Sequence, residues 1–254
     1  MKESFELWQG ECFEGETPMI HRYSPDVKRG DGAVIIFAGG AYARRAPHEA
    51  EPYAIKFNEM GIEAFVVDYR VAPRNAAHPS LDAIKAITFV REYSEEYGID
   101  PEKIAVMGSS AGGHLAAMCS TFYCEDNIGS MPNAQILCYP VTDIESHRGS
   151  YENMLGESID SHNRWCPIRN ASEHTPPTFI WHTSSDPSVD VKGTYRYATR
   201  LSELGVAVEM HIYPVGGHGL GLANGLYGRA TEEYVQRWVY DLECWLKLIG
   251  WITE

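Results

Sequence analysis

The sequence predicts an α/β fold: a mostly parallel central sheet with helices packed on both faces. Three observations carry this. Short, continuous apolar runs recur at 33–37, 62–67, 103–107, 134–139, 178–182 and 206–212, the pattern of strands covered on both sides. Stretches with helical periodicity or helix-bounding residues separate most of them, and such alternation closes into right-handed crossovers between parallel strands. The residues best suited to chemistry stand directly after the apolar runs, at the strand ends where open α/β sheets hold ligands. At 254 residues the chain fits one domain spanning 1–254.

Taken in order, residues 1–30 read as edge strands around Phe5–Leu7 and Glu16–Ile20, followed by a polar connection. Ala33-Val34-Ile35-Ile36-Phe37 is the first buried strand and breaks at Gly39-Gly40. A helix should begin near Glu51-Pro52, since proline suits a first helical turn, and end before Gly61. After the strand at 62–67, a helix is expected from about Ser80 to Tyr97, with Leu81, Ile84, Ile87 and Val90 near one face and Gly98 as its stop. The strand at 103–107 runs into a glycine-rich turn and then a helix beginning Leu115-Ala116-Ala117. Residues 142–175 are polar and lack sustained periodicity, and so long a stretch reads as a small cap or binding insertion. The strand at 178–182, a helix from Val189 to Leu204 and the strand at 206–212 follow. A last helix, with Thr231 as N-cap, runs to about Lys247.

Charge narrows the partners. The formal net charge is −14, and lysine and arginine form no block, which argues against nucleic acid or an anionic membrane surface and favours a small neutral substrate. The acidic N-terminus has no signal-peptide apolar run, and no apolar stretch approaches the ~18 residues of a membrane span. The six cysteines (Cys12, Cys119, Cys124, Cys138, Cys166 and Cys244) form no C-x-x-C pair. Reduced thiols in a cytoplasmic protein are therefore expected. Assembly into a homo-oligomer is left open by the sequence.

The chemistry centres on Gly108-Ser109-Ser110-Ala111-Gly112, a G-x-S-x-G between a strand and a helix. A turn that tight forces its central residue into a strained conformation and lifts the Ser110 hydroxyl above the sheet, beside the N–H groups of a helix start. A serine needs a base, and the base an orienting acid. His218, in Gly216-Gly217-His218-Gly219 after the strand at 206–212, is the candidate base. Asp186, after the strand at 178–182, is the preferred acid, because Ser110, Asp186 and His218 then fall in the chain order this sheet architecture uses. Asp143 is its rival, and Asp190 is better explained as a helix first-turn residue. His114, His182 and His211 lie within packed elements and read as structural, while His147, His162 and His174 fall in the polar insertion, where binding or solvation fits better than catalysis. The oxyanion formed on attack needs two N–H donors: Ala111, directly after the serine, and Gly40 or Ala41 in the glycine turn. There is no H-E-x-x-H and no G-x-G-x-x-G after a strand, so neither a metal nor another cofactor is expected.

With these residues in place the chain resembles the α/β-hydrolases of the esterase/lipase group, and more narrowly the bacterial cytoplasmic carbohydrate acetylesterases, or acetylxylan esterases. The resemblance runs from about residue 18 to the C-terminus. Its marks are Ala38-Gly39-Gly40-Ala41-Tyr42, Asp68-Tyr69-Arg70-Val71-Ala72-Pro73, Ser110-Ala111-Gly112-Gly113-His114-Leu115, the run Thr175 to Thr183 leading to Asp186, and Gly216-Gly217-His218-Gly219. Ala38, Ala41 and Arg74 depart from the family pattern. The resemblance implies hydrolysis of acetyl esters of sugars, acetylated xylo-oligosaccharides first, through an acyl-Ser110 intermediate. Tyr42, Trp165 and Trp8 have faces suited to stacking on a pyranose, and Arg44, Arg45 or Arg164 could bond hydroxyls. Arg70 is expected to pair with Asp82 instead. The alternatives are a feruloyl-type esterase, a formamidase or peptidase with the same triad, and a non-catalytic binding protein on the same fold.

Overall fold

The computed structural model describes residues 1–8, 16–71, 75–122 and 129–253. Cys12, Arg74 and Cys124 lie outside them. The elements, in chain order, are β1 (Lys2–Glu6), β2 (Met19–Tyr23), β3 (Ala33–Phe37), α1 (Glu51–Glu59), β4 (Glu63–Asp68), α2 (Ala77–Glu92), α3 (Ser94–Tyr97), β5 (Ile104–Ser109), α4 (Ala111–Thr121), β6 (Ala134–Cys138), α5 (Arg148–Leu155), α6 (Pro167–Asn170), β7 (Thr178–Thr183), α7 (Val191–Glu203), β8 (Val208–Tyr213), α8 (Glu233–Gln236) and α9 (Trp238–Leu248).

The strands form one sheet in the order β1-β2-β4-β3-β5-β6-β7-β8. Strand β2 runs antiparallel to both β1 and β4, and every other pairing is parallel. The chain steps from β3 outward to β4, then returns to β5 on the other side of β3 and continues to β8. The strand order therefore reverses between β3 and β5, and the carboxyl ends of these two strands border the crevice where such sheets bind ligands.

Side-chain alternation divides the core in two. Ile35, Phe37, Phe65 and Val106 pack with Ala86, Ile87, Leu115 and Leu201 of α2, α4 and α7. Val34, Ile36, Met107 and Trp181 pack with Tyr53 and Phe57 of α1 and Trp238 and Leu246 of α9. All five residues of β3 are fully buried, which explains the unbroken apolar run. Burial of each of the larger ones, Val34, Ile35, Ile36 and Phe37, contributes about 1.5–3 kcal/mol.

Three expectations need correction. Leu81 is 47% exposed; helix α2 starts earlier, at Ala77, and its buried stripe is Pro79, Ala83, Ala86, Ile87 and Val90. Gly98 does end this region, in the left-handed conformation, but a break at Tyr93 separates α2 from α3. Thr231 caps no helix: it bridges Asn224, and α8 and α9 follow with a break at Arg237. Arg70 and Asp82 do pair, at 2.7 Å. Cys119, Cys138 and Cys166 are buried free thiols and Cys244 an exposed one. Among the described residues no helix is long and apolar enough to cross a membrane.

His114 joins α4 to its surroundings from a fully buried position. Its Nε2–H donates to the Trp165 carbonyl at 2.7 Å, so Nδ1 accepts the Tyr42 hydroxyl, also at 2.7 Å. Burial pushes its pKa down to about 4. Below pH ~6.5 the unfolded chain binds a proton that the folded chain refuses, so stability falls as pH drops from there towards 4, by up to ~3 kcal/mol. Denaturant midpoints across this range should show that loss in the wild type and a shallower slope in His114→Gln.

Candidate active site

Ser110 stands between β5 and α4 at φ 53°, ψ −119°, a conformation that costs a non-glycine residue about 1–3 kcal/mol. Its backbone is held from three sides: its N–H donates to the Cys138 carbonyl, and its carbonyl accepts from Val141 and His114, each at 3.0 Å. The neighbouring glycines are required sterically. A Cβ on Gly108 would lie 2.0 Å from the Gly112 carbonyl oxygen, and one on Gly112 2.0 Å from that of Phe37.

The Ser110 hydroxyl lies 2.9 Å from His218 Nε2, and His218 Nδ1 lies 2.7 Å from Asp186 Oδ2. Because a carboxylate only accepts, Nδ1 carries the proton, and Nε2 is left to accept from the serine. His218 reaches over the sheet from the loop after β8, and Asp186 from the loop after β7. The carboxylate is almost completely enclosed and has four donors: His218 and His182 on Oδ2, and the Ser188 and Val189 N–H groups on Oδ1. Burial pushes its pKa up, but the bonds from His182 and His218, the charge of His218 and the Val189 N–H outweigh that and hold it well below the usual carboxylate range. The rival Asp143 is engaged elsewhere, by Arg196 at 2.6 Å and the Ser146 N–H at 2.7 Å.

Facing Ser110 is the turn after β3. Phe37 pairs with Gly108 in the sheet, which brings Gly39 alongside the serine: a Cβ there would lie 2.5 Å from the Ser109 oxygen and 3.0 Å from Ser110 Cβ. The Gly39 N–H is occupied by Glu49 Oε2 at 2.9 Å. The N–H groups of Gly40, Ala41 and Ala111 bond no partner among the described residues, and as a first helical residue Ala111 has no intrahelical acceptor. Gly40, Ala41 and Tyr42 all have positive φ (126°, 54° and 58°). Asn153 of α5 holds the Ala41 carbonyl at 2.8 Å, so the 142–175 segment clamps this turn.

The residues expected to stack on a sugar lie elsewhere. The left-handed backbone turns Tyr42 inward: it is 1% exposed, its hydroxyl is bound to His114 and its ring is edge-on to Tyr69, which leaves no face for a pyranose. Trp165 is half-buried against Phe122, with its carbonyl taken by His114 and Tyr151. Trp8 bonds Asp82. Arg45 is paired with Glu16 and Asp68, and Arg164 lies against Trp165. The cavity at Ser110, of about 310 Å³, is instead lined by Gly40, Ala41, Arg44, His48, His147, Ser188, His218 and Arg229, among others.

His147, read from the sequence as a binding or solvated residue, stands at this wall, while Arg229 and Tyr139 were given no role by the sequence. His147 caps α5 by accepting the Ser150 N–H on Nδ1, which leaves Nε2–H as its donor. Burial, and then the neighbouring His218, pushes its pKa down. Arg229 braces the histidine loop through the His218 and Gly219 carbonyls. Tyr139 packs its ring edge-on to His218, donates to Glu49 Oε1 at 2.7 Å and accepts the Gly221 N–H at 3.0 Å. A tyrosine directly after a buried strand was the one available signal. Among the described residues no group of three or more histidines, cysteines or carboxylates is placed to hold a metal.

The arrangement is a hydroxyl, an imidazole and a carboxylate in one hydrogen-bonded line beside unpaired backbone donors, which suits acyl transfer to serine. Comparison with known proteins finds likenesses among hydrolases. Endo-1,4-beta-xylanase B of Butyrivibrio fibrisolvens is 31% identical over 91% of the chain, and the acetylxylan esterase of Xylanibacter ruminicola 30% identical over 93%. The chain spans 39% and 49% of the lengths of those proteins. The crystal structure of an acetyl ester-xyloside bifunctional hydrolase from Caldicellulosiruptor lactoaceticus superposes with a TM-score of 0.89 at 37% identity, covering 99% of this chain and 97% of that one. A family model described as alpha/beta hydrolase fold matches residues 34–222. That match extends from the first buried strand through the histidine loop, and the chain belongs to the alpha/beta hydrolase family.

Proposed function

We propose that the protein is a serine esterase that removes acetyl groups from carbohydrate hydroxyls, acetylated xylo-oligosaccharides foremost. The observation that carries the reading is the unbroken line from Ser110 Oγ through His218 to Asp186, at 2.9 and 2.7 Å. The similarity to an acetylxylan esterase and to an acetyl ester-xyloside hydrolase supports the substrate class. A cavity of about 310 Å³, at the small end for ligand sites, suits a short acyl group.

In this reading Ser110 Oγ attacks the ester carbonyl carbon as its proton passes to His218 Nε2. The carbonyl oxygen becomes an oxyanion, stabilised by N–H groups of Ala111 and of Gly40 or Ala41. The C–O bond to the sugar breaks, and His218 returns the proton to the departing sugar oxygen, which leaves as a hydroxyl, giving acetyl-Ser110. Water then attacks, giving a proton to His218; the bond from Ser110 Oγ to the acyl carbon breaks, His218 passes that proton to Oγ, and acetic acid departs, ionising to acetate. Asp186 keeps its charge throughout, holding the imidazole in the required tautomer and stabilising the imidazolium. The substrate meets Arg44 and Arg229 at the cavity wall, where their guanidinium groups can donate to hydroxyls.

A fluorophosphonate probe should label the wild type and leave Ser110→Ala unlabelled; an unlabelled wild type would revive the binding-protein alternative. Asp186→Asn should lower kcat by roughly 10⁴-fold through the wrong histidine tautomer, whereas Asp143→Asn, which loses its bond to Arg196, should retain activity within a few-fold, both measured with a chromogenic acetate. Acetate release from a panel of acetylated xylo-, manno- and cello-oligosaccharides should be fastest on the xylo series, with feruloyl esters cleaved poorly; the reverse ranking would refute the acyl and sugar assignment while leaving the hydrolase chemistry intact.

A further inference from the structure

Asp186 Oδ2 is approached by two imidazoles, and one of them has no part in the mechanism above. His182, at the end of β7, is fully buried. Its Nε2 lies 3.1 Å from Asp186 Oδ2, the oxygen that also takes the His218 Nδ1–H. Its Nδ1 lies 2.8 Å from the hydroxyl of Thr194, on α7. The carboxylate requires a donor, so Nε2 carries the proton, and Nδ1 must then accept from Thr194. Thr194 thus selects the His182 tautomer, as Asp186 selects that of His218. Neither His182 nor Thr194 lines the Ser110 cavity.

We propose that His182 is a positioning residue of this site: with Thr194 behind it, it shares Asp186 Oδ2 with His218, and this sharing sets how firmly His218 holds its proton. The inference rests on the hydrolase reading. A second donor on one oxygen draws charge from it and weakens its hold on the first donor, so His182 keeps the His218 imidazolium from being over-stabilised and fixes the carboxylate in the imidazole plane. The other titratable groups around the pair face different atoms. Tyr139 presents its ring to His218 and its hydroxyl to Glu49. His48 bonds the Gly219 carbonyl, and Arg229 the His218 carbonyl. His147 stands across the cavity. None of these four bonds the Asp186 carboxylate.

The test is the pH dependence of kcat/KM on a chromogenic acetate, with folded fraction followed by circular dichroism and Ser110 reactivity by fluorophosphonate labelling. In His182→Leu the acid limb should move to higher pH by about half a unit or more, and kcat should fall roughly tenfold with KM little changed. His182→Gln, whose amide still donates, should bring the limb back towards wild type. Thr194→Val, remote from the carboxylate and nearly isosteric, should give a smaller shift in the same direction and decides the matter if the leucine variant does not fold. Folded variants with an unmoved acid limb overturn the inference. A wild type that fluorophosphonate does not label at Ser110 overturns instead the hydrolase reading beneath it.

Discussion

The buried carboxylate of Glu49 is the point on which the loops of the candidate site converge. One oxygen holds the Gly39 N–H of the turn after β3, and the other takes the Tyr139 hydroxyl at the end of β6. Tyr139 in turn receives the Gly221 N–H from the histidine loop, and Tyr53 stands between Tyr139 and Ser109 of β5. Segments from two strand ends thus bond one 2%-exposed side chain directly, and the histidine loop is joined to it through Tyr139. Burying a carboxylate is costly unless its oxygens are bonded, and here both are. The cost of enclosing the charge is offset by bonds that also fix where the site groups stand.

That arrangement accounts for the strain in the turn opposite Ser110. Three successive residues at positive φ, two of them not glycine, would relax if free. Glu49 fixes the turn at Gly39, Asn153 at the Ala41 carbonyl and His114 at the Tyr42 hydroxyl. With the Gly39 N–H occupied, Gly40 and Ala41 are the residues of this turn that line the cavity and whose N–H groups bond no partner among the described residues. The 142–175 segment contributes to the site by clamping this turn and by supplying His147 to the wall, more than by presenting aromatic faces to a ligand.

What was legible in the sequence follows from the range of the forces involved. The central parallel strands were readable because burial on both faces writes a nearly continuous apolar run, while the edge strand β8 is only partly buried. Ser110, Asp186 and His218, which the structure joins in one hydrogen-bonded line, could be singled out because each stands at or shortly after the carboxyl end of a strand and carries suitable chemistry. Tyr42 misled because its direction depends on a backbone angle that no residue pattern encodes. Glu49 and Tyr139 were invisible as a pair, being 90 residues apart with nothing local to link them. Leu81 misled because a strict three-residue spacing drifts around a helix of 3.6 residues per turn, which sets Leu81 about 180° from Val90 and outside the buried stripe. Pairwise bonds between distant loops are the part of this site that only coordinates reveal.

The glycines beside Ser110 have a consequence for how this protein can change. Where β3, β5 and α4 meet, main chain touches main chain: any Cβ on Gly108 or Gly112 would sit 2.0 Å from a carbonyl oxygen. No neighbouring side chain can be trimmed to make room, so a substitution there has no compensating partner. The rim is the opposite case, since the Arg44 side chain at the cavity wall is exposed. Mutational freedom is therefore divided across a few ångströms, with an invariant floor beneath a variable wall. Shifts in the molecules this scaffold accepts are open to it through the wall, while the floor keeps the same geometry for all of them.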